Sequence, residues 1–302
     1  MDVKCTRMNQ QPAKLAKKPE EALTQEMHSA PILSDSDIDF VHKLAERAGY
    51  RAIGMRDNVE VKEKSGPDDP VTSADVELSR IIVSALTQRF SNDQIISEED
   101  AVHPACVESR RVWLIDPIDG TKNYISRNGQ YSVMIGLLVD GIPSFGWVYE
   151  AEAQRMYYGG PDYGAFVASG GSNPKRLKSE TDVDLKEKTR IIMGSRDRKK
   201  HPWVEELDSV EIVKTGSIGL KVARILEEKA DILVHLSGKL KAWDTAGPAA
   251  IALGGKLEVG TLAGPGLDFP LPQLKHSSEV IMGRVGCTSW CKANLVKNSG
   301  SN

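Results

Sequence analysis

The chain has 302 residues, 40% of them apolar and 27% charged, an ordinary composition for a globular protein of one large domain or two modest ones. A formal net charge of -3 leaves no basic footprint for duplex nucleic acid, so no nucleic-acid partner is expected. The longest central apolar run, Val133 to Val139, is far too short to span a bilayer, and no membrane partner is expected either.

Residues 1–33 are polar and irregular and read as a flexible tail. The glutamates in the stretch Ala13 to Glu21 count against an organelle transit peptide. A cytoplasmic setting is expected, with organellar import through the first ~30 residues left open. Ile38, Val41, Leu44 and Ala45 then recur at helical spacing behind Ser and Asp residues suited to capping. A second helix follows VTSAD, where Thr72 and Asp75 fit a capping box. Its broad apolar face is expected to carry Val76, Ile81, Ile82, Leu86 and Phe90. QIIS and VWLI read as short strands, and YSVMIGLLV, Asp140-Gly141 and IPSFGWVYE as a long β-hairpin. MYYGG and GAFVAS continue the strands. Composition shifts to Gly, Ser, Asn, Lys and Glu around residues 168–188, which places a boundary there. Residues 34–170 are then one α+β domain and residues 171–302 a second, α/β domain. The second half alternates strand TRIIMGS, a helix near HPWVEEL, strand VEIVKTG, helix GLKVARILEEK, strand ADILVHL and a helix from AWDTAGPAAIAL. The four cysteines are too few and scattered for a disulfide framework, and Cys287 and Cys291 read as unrelated thiols near a frayed end.

The chemistry concentrates where WLIDPIDGTKNYISRNGQYSV ends a buried strand in two anions, Asp116 and Asp119. Such charges are costly unless something offsets them. Pro117 and Gly120 turn the backbone, so both carboxylates can face one spot, and the amides beyond can meet an anion. Carboxylates without neighbouring Cys or His suit a hard cation such as Mg²⁺ holding a phosphate. Three further acidic stretches sit comparably: Glu98 and Glu99 in ISEED, Asp244 in AWDTAG, and Asp69 in DDPVTSAD. Taken singly, they read as a solvated turn, a helix cap and a loop residue. The set of four is the signal.

DPVTSAD, ISEED, WLIDPIDGT and AWDTAG, in this order and spacing, resemble the lithium-sensitive, magnesium-dependent phosphatase superfamily of inositol monophosphatase, over roughly residues 38–255. Lys122, Arg127-Asn128-Gly129, SEED, GSIGLK and KLKAWDTAGP look most like its 3'(2'),5'-bisphosphate nucleotidase branch. Two departures stand out: SRDRKKH displaces His201 from the branch's Ser-Arg-Ser-His element, and the segment after Gly255 lacks the usual Thr-Asp-x-x-Gly.

The resemblance implies an α+β fold, a layered α-β-α-β-α sandwich. It implies hydrolysis of the 3'-phosphate of 3'-phosphoadenosine 5'-phosphate, or of its 5'-phosphosulfate form, by a metal-activated water. An inositol, sugar or histidinol phosphate is the alternative substrate, and a non-catalytic binding protein the remote one. It implies two or three Mg²⁺ ions and inhibition by Li⁺. Glu98, Asp116 and the Ile118 carbonyl would hold one ion, and Asp116, Asp119 and Asp244 a second. Asp69 and Thr121 would form the water-activating pair. Gly120 and Thr121 would hold phosphate oxygens through their N–H groups, and Lys122, Ser217, Lys221 and Asp244 would serve the substrate. A monomer or a homodimer is expected.

Overall fold

The computed structural model describes residues 31–64, 70–103, 105–178 and 188–296. Helix α1 (Asp35–Met55) starts at Ser34, whose side chain accepts from Asp37 N while the Asp37 carboxylate reaches back to the Ser34 backbone. The short strands β1 (Val61–Glu63) and β2 (Pro70–Thr72) pair antiparallel and lead into α2 (Ser73–Arg89). Thr72 and Asp75 form the expected capping box at its start. Val76 does not join the apolar face: it is exposed, and the buried stripe runs through Ala74, Leu78, Ile82 and Leu86. The i, i+4, i+8 spacing of that stripe turns position 76 to solvent.

Seven strands follow as one sheet: β3 (Gln94–Ser97), β4 (Arg111–Asp119), β5 (Ser132–Val139), β6 (Ile142–Glu150), β7 (Arg155–Gly160), β8 (Gly164–Ser169) and β9 (Lys175–Leu177), with α3 (Thr121–Ile125) between β4 and β5. β3 and β4 run parallel, and the rest form an antiparallel meander in chain order. Asp140 and Gly141 both take positive φ, as the tight β5–β6 turn requires. Because β9 pairs with β8, this sheet continues past the boundary expected at residue 170.

The second sheet holds β10 (Thr189–Met193), β11 (Val210–Val213), β12 (Ile232–His235), β13 (Glu258–Thr261), β14 (Gly264–Pro265) and β15 (Val280–Gly283), in the spatial order β11-β10-β12-β15-β13-β14. Its helices are α4 (Ser195–Lys200), α5 (Ile218–Leu226), α6 (Ala242–Gly254) and α7 (Cys287–Leu295). The helix expected near HPWVEEL falls earlier, on SRDRKK; Pro202–Val204 make only a 3₁₀ turn, because proline ends the pattern before it. Cys287 and Cys291 do not lie at a frayed end. Both are buried on α7, and burial pushes both thiols well above their ordinary pKa, the Cys291 thiol to about 12. Such thiols are inert.

The layers follow from alternation along the strands. Trp113 and Ile115 of β4 face α1 and α2, whereas Val112 and Leu114 face α5 and α6. The same two helices cover one face of the second sheet through Ile192, Leu233 and Met282, and α7 covers the other through Ile191, Ile232 and Ile281. The result is the expected α-β-α-β-α sandwich. Each fully buried Leu or Ile contributes about 1.5–3 kcal/mol. α6 lies directly on the first sheet: a Cβ on Gly136 would come within 2.5 Å of Gly247 N, and one on Gly146 within 2.2 Å of the Gly247 carbonyl. That close approach brings the first turn of α6 down towards the end of β4.

Candidate active site

In a regular strand, residues three apart point to opposite faces. Asp116 and Asp119 do not, because β4 bulges between them. Asp116 pairs with Met134 and Asp119 with Ser132, so Pro117 and Ile118 together oppose Val133. Proline, with no N–H to give a ladder, fits a bulge. The extra residue brings Asp119 round to the face that Asp116 already uses, towards α5 and α6. Gly219 N, in the first turn of α5, donates to Asp119 Oδ2 at 3.2 Å. Asp244 sits in the first turn of α6, where its carboxylate accepts from Lys241 N. Glu98 follows β3, its own N–H held by the Ile115 carbonyl at 3.0 Å.

Electrostatics separate these carboxylates from ordinary ones. Asp116 is 2% exposed, and its Oδ1 is buried with no hydrogen-bond partner. Burial, and then the charges of Glu98, Asp119, Asp244 and Asp75, push its pKa well up. Burial and Glu98 do the same to Asp244. Burial also raises Asp119, opposed by Ser217, the Lys221 ammonium and the amides of Gly219 and Ile218. A buried anionic oxygen without a donor, ringed by other carboxylates, is a site short of positive charge. Its all-oxygen donor set fits a hard divalent cation. Among the described residues, no three acidic, His or Cys side chains are already drawn tightly round one point. One reason is that Glu98 leans to Lys64, whose Nζ lies 3.0 Å away and also pairs with Glu99. Burial works against the Lys64 charge, but the two glutamates outweigh it and raise its pKa. The sequence offered no signal for this lysine.

Thr121 opens α3 behind Gly120, which takes the left-handed conformation at φ 93°. Its hydroxyl lies 3.2 Å from the Ile118 carbonyl and 3.4 Å from Asp75 Oδ1. Asp75 is thus a carboxylate within reach of Thr121, a position for which Asp69 was expected; Asp69 lies outside the described residues. Sequence reasoning missed Asp75 because the capping box explained it fully. In the structure the two oxygens divide the work: Oδ2 accepts from Thr72 N and Oγ1, leaving Oδ1 for Thr121. Burial raises the Asp75 pKa to about 6, against the lowering effect of the Thr72 hydrogen bonds.

Beyond Asp119 opens a cavity of about 500 Å³, walled by α3, α4 and the start of α5. Lys122, Arg196, Arg198, Lys199, Lys214 and Lys221 all line it. Arg198 and Lys199, in the SRDRKKH stretch, therefore belong to its wall. The histidine on the wall is His235, from β12, rather than His201. Lys221 is buried, and burial lowers its pKa against the pull of Asp119, Asp197 and Asp244. Ser217, expected to contact substrate, is instead an internal residue. It is 1% exposed, its hydroxyl caps Leu220 N and meets Ser132 Oγ at 2.6 Å, and it supports Asp119.

Comparison with known proteins agrees with this arrangement. Residues 35–274 match the model of the inositol monophosphatase family. The 3'(2'),5'-bisphosphate nucleotidase CysQ of Salmonella typhimurium is 30% identical over 241 residues, covering 77% of this chain and 93% of that protein. CysQ of Haemophilus influenzae is 32% identical over 200 residues, 65% of this chain and 72% of the relative. Among solved structures, Staphylococcal IMPase-I complexed with products superposes with a TM-score of 0.74 at 21% identity, covering 89% of this chain and 98% of that one. An IMPase/NADP phosphatase complexed with Mg²⁺ and phosphate gives 0.74 at 21% identity, covering 88% and 97%. No helix among the described residues is long and apolar enough to cross a membrane. Fold, carboxylate cluster and sequence together identify the chain as a member of the inositol monophosphatase family, a phosphatase.

Proposed function

We propose that the protein is a Mg²⁺-dependent 3'(2'),5'-bisphosphate nucleotidase that removes the 3'-phosphate of 3'-phosphoadenosine 5'-phosphate. The observation that carries this reading is a juxtaposition. The unsatisfied carboxylate cluster around Asp116 adjoins a pocket lined by six Lys and Arg side chains. The cluster serves the phosphate that is cleaved, and the cations serve a second phosphate that is not. The CysQ relatives, nucleotidases by name, support the same substrate class.

Glu98, Asp116, the Ile118 carbonyl, Asp119 and Asp244 would hold the magnesium ions. Bound there, magnesium would polarise the phosphoryl group and make an attacking water more acidic. The chain's own residues supply the rest. Thr121 Oγ1 orients that water while donating to Asp75 Oδ1. Burial raises the Asp75 carboxyl above its ordinary range, which favours it as the acceptor of a proton relayed through Thr121. Gly219 N, with Ser217 behind it, fixes Asp119 in place. The Gly120 and Thr121 amides, at the first turn of α3, receive phosphate oxygens. Lys221 and Lys122 face the remaining phosphate across the pocket.

The test is phosphate release from 3'-phosphoadenosine 5'-phosphate and from inositol 1-phosphate side by side, with Mg²⁺ and then with added Li⁺. A strong preference for the nucleotide, lost with Li⁺, is the expected result. A preference for inositol 1-phosphate overturns the substrate assignment and leaves the family's phosphatase chemistry standing.

A further inference from the structure

Asp244 has to be held among anions, yet the helix that carries it holds its first turn poorly. Lys241, at the N-cap of α6, has a side chain with donors only, so it cannot accept from the first amides. One turn on, Pro248 has no N–H to give the Asp244 carbonyl. The turn is short of hydrogen bonds at both ends, while burial and the charge of Glu98 work against its carboxylate.

A segment far along the chain makes up the loss. Lys241 and Lys275 form an antiparallel bridge. Ala242 N, the first amide of α6, donates to the Leu274 carbonyl at 2.6 Å, and His276 N donates to the Leu240 carbonyl at 3.0 Å. This pairing fixes Lys241, whose own N–H holds the Asp244 carboxylate. His276 adds a second hold. It is 2% exposed, and its Nε2 lies 2.7 Å from Oγ1 of the fully buried Thr245, the residue after Asp244. Burial favours the neutral ring, and a backbone hydrogen bond to Asp268 claims its single N–H, so Nε2 accepts from the Thr245 hydroxyl. The carbonyls of Lys241 and Ala242, the local acceptors for a helical threonine, are farther away, at 3.3 Å. This clamp comes from the stretch after Gly255 that departs from the family's sequence pattern.

We propose that His276 is a positioning residue for Asp244: through Thr245, and with the Leu274–His276 pairing to Lys241, it holds that carboxylate where a magnesium ion is bound. This rests on the magnesium reading above and deepens it. Residues that orient a metal ligand act on metal affinity, typically by 10- to 100-fold.

The experiment follows the full chain in two ways as Mg²⁺ is raised: the melting temperature without substrate, and phosphate release from 3'-phosphoadenosine 5'-phosphate. Thr245→Val and His276→Leu should each raise the half-effective Mg²⁺ concentration about 10-fold in both measurements. At saturating Mg²⁺ the KM for the nucleotide should stay within about twofold of wild type and most of kcat should return. The double variant should shift no further than either single one, because both remove the same contact. Thr245→Ser and His276→Gln, which keep the hydroxyl and an acceptor at the Nε2 position, should keep the wild-type Mg²⁺ dependence. Asp231→Asn, which breaks the ion pair with Arg190 at the other end of β12, controls for general destabilisation and should also keep it. If His276→Leu fails to fold, Thr245→Val decides, beside His276→Asn, which keeps a donor for Asp268 but ends short of Thr245. Wild-type Mg²⁺ dependence in Thr245→Val overturns the proposal, as does an equal shift in Asp231→Asn or additive shifts in the double variant. A wild type whose melting and activity ignore Mg²⁺ overturns the magnesium reading itself, and this proposal with it.

Discussion

Asp116 and Asp231 are both buried aspartates at a strand end, and their surroundings are opposite. Asp231, just before β12, is held by Arg190 N and Nη2 at 2.8 Å, Arg190 Nε at 3.1 Å and Arg284 Nε at 3.2 Å. Burial raises its pKa, but those hydrogen bonds and the two guanidinium charges more than offset it, and the net shift is downward. Asp116 has an orphaned oxygen and four acidic neighbours, and its pKa is driven well up. Both residues have left water. Only Asp231 is compensated from within the chain, so Asp231 stabilises the fold and Asp116 strains it. The difference separates a carboxylate compensated within the chain from one left short of positive charge more sharply than burial or sequence context does.

Neutralising each aspartate should therefore act in opposite directions. The largest effect is expected at Asp116. Asp116→Asn should lower kcat/KM by about 1000-fold or more, because it removes the carboxylate at the centre of the cluster. Without Mg²⁺, the same variant should melt no lower than the wild type, and by about 1 kcal/mol more stably, since an unpaired buried charge is gone. Added Mg²⁺ should raise the wild-type melting temperature in a concentration-dependent way and leave the variant's unmoved. Activity within tenfold of wild type, or an equal Mg²⁺ response, would break the contrast from the Asp116 side.

The same contrast explains what the sequence could and could not disclose. The shared direction of Asp116 and Asp119 was legible, because Pro117 and Gly120 were read as turning the backbone; that a bulge in β4 brings it about was not. The helix starts at Thr72 and Asp244 were legible from local capping chemistry, whereas the layers were expected only from the family resemblance, since VWLI and SVMIGLLV are continuous apolar runs. Compensation was not legible, because it depends on partners far along the chain. Arg190 and Arg284 meet at Asp231, and Lys64 meets Glu98 and Glu99, with no local pattern to announce either. Asp75 was hidden for a different reason: a local role accounted for it completely, so its second oxygen went unexamined. The pocket wall was least legible, since α4 lies ahead of HPWVEEL, where the helix was expected, and His235 enters it from a strand.

A smaller effect is expected at Asp231. Asp231→Asn keeps the shape but leaves two guanidinium groups without their anion. Both remain partly open to solvent, Arg190 at 31% and Arg284 at 15% side-chain exposure, so the loss is discounted from that of a fully buried pair. A destabilisation of about 2 kcal/mol, or roughly 3–4 °C in melting temperature, is expected, with kcat on the nucleotide unchanged. Loss of activity in proportion to that at Asp116 would mean that the two aspartates do not divide as fold and function.

The finest cut is by pH. Asp231 has a folded pKa below the ~3.9 of an unfolded aspartate, so its stabilising contribution is complete above that value. As pH falls through the folded pKa, the folded state takes up the proton and the contribution disappears. Asp231→Asn has no such proton to gain. The stability gap between wild type and variant, measured by urea unfolding without Mg²⁺, should therefore be constant from about pH 7 down to about pH 5. It should then narrow as the carboxylate is protonated below about pH 4. A gap that stays constant through that range would show that shape and hydrogen-bond count, rather than charge, hold Arg190 and Arg284. The satisfied carboxylate would then differ from the orphaned one in packing alone.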